Sequence, residues 1–106
     1  MPKYMIHASY TPEGVKGVQS KGGSSRREAI SEMLEGLGGS LECMYFSFGD
    51  SDVVVIADLP DNEAATAIAL TVNAAGGATT KTWPLITPEE VDAAAQLSVS
   101  YTAPGG

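Results

Sequence analysis

Four runs of strand-like alternation and two stripes of helical spacing, in the order strand, helix, strand, strand, helix, strand, predict an α+β fold built on one antiparallel sheet. The length of 106 residues suits one domain with one core. A hydrophobic share of 43% beside 18% charged residues is that of a globular chain, which excludes wholesale disorder and a collagen-like repeat.

The first strand is Tyr4 to Tyr10, with Tyr4, Ile6, Ala8 and Tyr10 on one face and Met5, His7 and Ser9 on the other. Thr11, Pro12 and Glu13 supply a cap, a proline at the first helical position and an acid in the first turn. They open a short helix carrying Val15 and Val18 and weakened by Gly14 and Gly17. Lys21-Gly22-Gly23 interrupts it. Beyond the break, Ser25 and Glu28 have capping-box spacing, and Ile30, Met33, Leu34 and Leu37 fall at i, i+3, i+4 and i+7 of the next helix.

Gly38-Gly39 ends that helix, and Leu41 to Phe48 follows as the second strand. Its faces carry either Leu41, Cys43, Tyr45 and Ser47 or Glu42, Met44, Phe46 and Phe48. After a turn at Gly49-Asp50-Ser51, the third strand, Asp52 to Asp58, is apolar on both sides in its middle, the pattern of a central strand covered twice. Pro60-Asp61 starts a helix whose stripe is Ile68, Val72 and Ala75, and Gly76-Gly77 ends it. Ala78 to Trp83 is the fourth strand, with Pro84 limiting its pairing beyond that point. Thr87-Pro88-Glu89-Glu90 then caps a short alanine-rich helix reaching about Gln96. The domain is drawn over residues 1–96, with 97–106 as a tail or docking arm.

This order is the ferredoxin-like βαββαβ arrangement, a sandwich of a four-stranded antiparallel sheet with two helices on one face. The other face is left open, and the apolar third strand with its neighbours would expose a sizeable patch there. Packing two such faces in a symmetric homodimer buries it, so a partner copy of the same chain is expected.

Tyr10-Thr11 with Gly14-Val15, Arg27, Gly38-Gly39, Tyr45-Phe46, the run Gly49 to Val55, Pro60-Asp61, Gly76 and Thr80-Lys81-Thr82 together resemble the GYD domain family, over about residues 4 to 91. The family comprises small bacterial proteins mostly of unknown function, named for a Gly-x-Tyr-Asp-like motif. The resemblance implies a ferredoxin-like fold whose sheets pair in a dimeric alpha-beta barrel, and it brings no established reaction. Ser51 stands where the motif has its tyrosine, so a role that depended on that phenol is not carried over.

A formal charge of −7 argues against nucleic acid and anionic lipid as partners. The charge is uneven: Lys3, Lys16, Lys21, Arg26 and Arg27 face a single acid, Glu13, in the first 27 residues, while Lys81 is the only base in the acidic remainder. Cys43, the single cysteine, allows no intramolecular disulfide, and no apolar run reaches the roughly 20 residues that cross a bilayer. A cytoplasmic location is the expectation, since no long apolar signal region precedes the first strand.

His7, the only histidine, is the first candidate for acid-base work or ligand contact, beside the plainer reading of a packed, hydrogen-bonded ring. Cys43 is no partner for it, because the third strand separates the two by about 9.5 Å, two strand spacings. Asp50 and Asp52 are too few for a hard-cation site and are read as turn and strand-edge groups. No motif calls for a metal or a cofactor. Ser25, Arg26 and Arg27 have the makings of an anion site, with Arg27 ranked first and a salt bridge to Glu42 as its structural alternative. Tyr45 and Trp83, on the two outer strands, complete the ligand-binding candidates with His7 and Arg27. Three functions stay open: a homo-oligomeric module that binds a small, partly apolar molecule between sheet and partner; a cofactor-independent isomerase or monooxygenase using His7; and an interaction module without a ligand.

Overall fold

The computed structural model describes residues 1–106. Its strands are β1 (Lys3–Tyr10), β2 (Ser40–Phe46), β3 (Val53–Asp58) and β4 (Ala78–Leu85), and its helices are α1 (Pro12–Lys21), α2 (Gly23–Gly36), α3 (Asn62–Ala75) and α4 (Pro88–Ala95). The sheet runs β2-β3-β1-β4, antiparallel throughout, which is the expected ferredoxin-like topology.

The core lies between one sheet face and α2 and α3. Tyr4 and Ile6 of β1, Val53, Val55 and Ala57 of β3, and Leu59 close on Leu34 of α2 and on Ala65 and Ile68 of α3. Leu34 and Leu59 are fully buried. The predicted α2 stripe does this work: Ile30 and Met33 pack against the core beside Leu34, while Leu37 ends the helix at its cap. The Tyr4 hydroxyl donates to Asn62 Oδ1 at 2.6 Å, so the one phenol deep in the core meets the start of α3. Asp61 caps α3 by accepting from the Ala64 amide, and Asn73 near its end bonds Thr80 of β4 through both amide atoms.

Several local expectations are corrected. The Ser25–Glu28 capping box does not form: α2 begins three residues earlier, at Gly23 with Gly22 as its cap residue, and has no side-chain cap. Gly22 serves both helices, closing α1 through its amide on the Val18 carbonyl at 2.7 Å and letting α2 start at once. In β2 a bulge falls between Leu41 and Cys43. It reverses the alternation, so Leu41, Met44 and Phe46 all pack on the core, while Cys43 and Tyr45 oppose Ile56 and Val54 on the other face. Phe48 lies past the end of β2 at φ +53, its ring stacked on Phe46 at 5.8 Å. β4 continues through Pro84, opposite Tyr4, to Leu85, because an edge strand tolerates a missing amide. Ala75 is exposed rather than part of the α3 stripe.

α4 stands apart. Its capping box at Thr87 and Glu90 is complete, yet every residue from Pro88 to Gly106 is exposed, including Val91, Leu97, Val99 and Tyr101.

α1 reaches β4 at a close contact. The Thr11 amide donates to the Gly77 carbonyl at 3.0 Å and the Thr11 hydroxyl to Gly76 at 2.9 Å, so a Cβ on Gly14 would land on the Gly77 carbonyl oxygen. Gly17, one turn on, has open space around it. Gly14→Ala is therefore expected to destabilise the fold, whereas Gly17→Ala stabilises α1 by up to about 1 kcal/mol through helix propensity. Chemical denaturation of both variants checks the sign of each. By the same measurement, Leu34→Ala costs about 2 to 5 kcal/mol.

Candidate functional site

The sheet face away from the helices has no cover within the chain. β1 contributes Met5, His7 and Ser9, β3 contributes Val54 and Ile56, β2 adds Cys43 and Tyr45, and β4 adds Lys81 and Trp83. The register sorts them into rows: Trp83, Met5, Ile56 and Cys43 lie across one, and Lys81, His7, Val54 and Tyr45 across the next. Tyr45 is 70% exposed and Trp83 is 40% exposed.

His7 is held on both sides. Its ring meets Trp83 edge to face, centroids 4.7 Å apart at 66°, and its Nδ1 lies 3.2 Å from the Ser51 hydroxyl. Nε2 has no hydrogen-bond partner in the chain. Ser9, Asp50, Thr79 and Lys81 complete a cleft of about 250 Å³ around this pair, and Ser51 and Trp83 form two of its walls. One imidazole, one hydroxyl, one ammonium and one carboxylate there offer proton transfer and hydrogen bonding to a polar group set against an indole face.

The loop between β2 and β3 places Ser51. The Ser51 carbonyl accepts from the Ser47 hydroxyl at 2.6 Å and from the Gly49 amide at 3.1 Å. Asp52 then ties the loop to its neighbours: its amide donates to Ala8 at 2.8 Å, its carbonyl accepts from Ser47, and its Oδ2 accepts from the Tyr10 amide at 2.8 Å. The side chain so extends the β1–β3 ladder beyond its last residue pair. Asp50, read from sequence as bonding turn amides, instead lines the cleft.

Among the candidates named from sequence, His7 and Trp83 come together. Tyr45 lies two strands from His7, at the far edge of the same face, and Arg27 lies elsewhere, in a groove with Gly23, Ser24, Met44, Tyr45 and Phe46. Arg27 is exposed and does not pair with Glu42. That carboxylate is taken by Lys3, whose ammonium sits 2.6 Å from Glu42 and 3.0 Å from Asp58. Hydrogen bonds to Glu42 and then Asp58 raise the Lys3 pKa above the ordinary lysine value. A raised lysine stabilises the fold below its ordinary pKa, and the contribution disappears as pH climbs through the raised one; exposure to solvent keeps it small. Arg26, ranked second, points inward with its Nε buried and unpartnered.

Ser51 and Lys81 escaped the sequence reading. Lys81 was within reach, since it shares strand parity with Trp83. Ser51 was not, because its position over His7 depends on the β1–β3 register and on the loop's own hydrogen bonds. No three His, Cys, Asp or Glu side chains converge anywhere in the chain, and no helix is long and apolar enough to cross a membrane.

Asp52→Ala leaves the Tyr10 amide unpaired and is expected to cost about 1 to 3 kcal/mol of stability, while Asp52→Asn, which keeps an acceptor, costs less. Urea titrations distinguish the two, and equal losses would contradict the bond's role.

No curated protein matches the chain. The family model described as GYD domain matches residues 4–95, from the second residue of β1 to the last of α4.

Proposed function

Since the chain belongs to the GYD domain family, we propose that it is a self-associating module whose open sheet face meets the same face of a second copy, and that the His7 cleft at the rim of this contact holds a small, partly apolar molecule. One observation carries the reading: Met5, Val54, Ile56, Cys43, Tyr45 and Trp83 form an apolar band that no element of the chain covers. Exposed apolar area on this scale is a cost in water that a two-fold contact removes, because each copy offers the other the same surface. The exposed apolar side chains of α4 and the segment after it add a second surface that favours association.

The cleft supports the ligand half of the reading. Ser51, in place of the motif tyrosine, is a smaller side chain beside His7 and Trp83, and leaves room there. The Trp83 indole gives one apolar wall, and Lys81 and Asp50 give polar contacts that orient a guest. A second reading rests on the Ser51 contact. With Nδ1 engaged by the hydroxyl, Nε2 is free to exchange a proton with a bound substrate, the geometry of an acid-base residue in a cofactor-independent enzyme.

Sedimentation velocity of the full chain is expected to give a dimer or larger assembly, and Val54→Lys, which places a charge in the middle of the band, is expected to give a folded monomer. Trp83 is the only tryptophan, so its emission should shift to the red on dilution as the face becomes wet. A wild-type monomer with dilution-independent emission would rule out the contact. Native mass spectrometry tests the cleft: a retained small mass should be lost in His7→Ala while assembly persists. Activity that survives in Trp83→Ala but not in His7→Gln would favour the enzyme reading.

A further inference from the structure

We propose a second binding site on the opposite side of the sheet, for an amphipathic monoanion: an apolar chain or ring that carries one carboxylate. A cavity of about 270 Å³ lies between the sheet and α2 and α3, and 13 of its 15 lining residues are hydrophobic, among them Ile6, Met33, Met44, Val55 and Ile68. An apolar cavity of about 150 Å³ already accepts benzene, so this one has room for a larger apolar body.

Arg26 supplies the other half of the chemistry. It is one of only two polar residues in the lining, with Thr80, and its Nε is buried without a hydrogen-bond partner. No carboxylate in the chain pairs with it. A buried donor on a cation is costly to leave unmatched, and a carboxylate is the group that a guanidinium binds best. The cavity also has an approach of the right charge. A cleft of about 370 Å³ between α1, α2 and α3 shares Tyr10, Arg26, Val72 and Ala78 with it and adds Lys21; no acid lines either space. In a chain of net charge −7, this is a place where an anion meets cations alone. The tail of the ligand would lie among the methionines and branched residues, and its carboxylate would sit at Arg26, within reach of Lys21.

This site stands without the association reading, because it lies across the sheet from the His7 cleft. Octanoate and octanol are suitable probes, being equal in carbon number and different in charge. Isothermal titration calorimetry of the full chain should show octanoate binding more tightly than octanol. Arg26→Gln should weaken octanoate by roughly tenfold or more, the worth of a hydrogen bond to a charged group, and leave octanol unchanged. Ala8→Leu, which puts bulk into the cavity, should weaken both. Methyl NMR of the unmodified chain keeps the test independent of any variant's folding: octanoate should move the Met33, Met44 and Ile68 signals and leave the Trp83 indole signal in place. Equal affinity for the two probes, or an unchanged octanoate affinity in Arg26→Gln, would overturn the anion assignment. Shifts confined to Trp83, or no binding of either probe, would overturn the site itself.

Discussion

β3 is apolar on both faces, and the chain has helices for only one of them. On the inner side Val53, Val55 and Ala57 pack with Leu34, Leu59 and Ile68, and each valine, leucine or isoleucine side chain removed from water contributes about 1.5 to 3 kcal/mol. On the outer side Val54 and Ile56 sit between β1 and β2 with nothing above them. A central strand apolar on both faces leaves one apolar face toward water when helices cover only the other. The inner face accounts for the fold, and the outer face accounts for the proposed association.

The loop from Ser47 to Asp52 joins these two sides of the molecule. Asp52 belongs to the scaffold, since its amide, carbonyl and carboxylate hold together the end of β1, the end of β2 and the start of β3. Ser51, its neighbour, is thereby fixed above His7 on the open face. In this chain the aspartate of the family's motif, Asp52, secures position, and Ser51 before it meets the sheet surface.

Charge is distributed with the same economy. The basic side chains of the first 27 residues do not make one patch: Lys3 is engaged by Glu42 and Asp58 at one end of the open face, Arg26 turns into the helix-side cavity, and Arg27 faces outward one residue away. Adjacent residues on a helix project about 100° apart, so two neighbouring arginines serve different surfaces. Ranking Arg27 above Arg26 on motif alone could not detect this difference.

The order of elements, the one-sided helix cover and the central place of β3 were legible in the sequence, because alternation, helical spacing and glycine breaks are local signals set by backbone geometry. The caps at Thr11, Asp61 and Thr87 were legible for the same reason. Where two elements compete for the same residues, local signals fail. Ser25 and Glu28 had the spacing of a capping box, yet α2 began earlier because Gly22 could close α1 and open α2 at once. The bulge at the start of β2 reversed a parity that alternation had assigned, since register follows the partner strand rather than the strand's own pattern. The site depended most on tertiary structure. Sequence singled out His7 and Trp83 as separate candidates, but their contact, the hydroxyl of Ser51 beside the imidazole, and the inward turn of Arg26 are juxtapositions of residues distant along the chain or of one residue among several helix orientations. Only the packed sheet and its helices decide them, because a side chain's neighbours across strands are set by long-range pairing that no local pattern encodes.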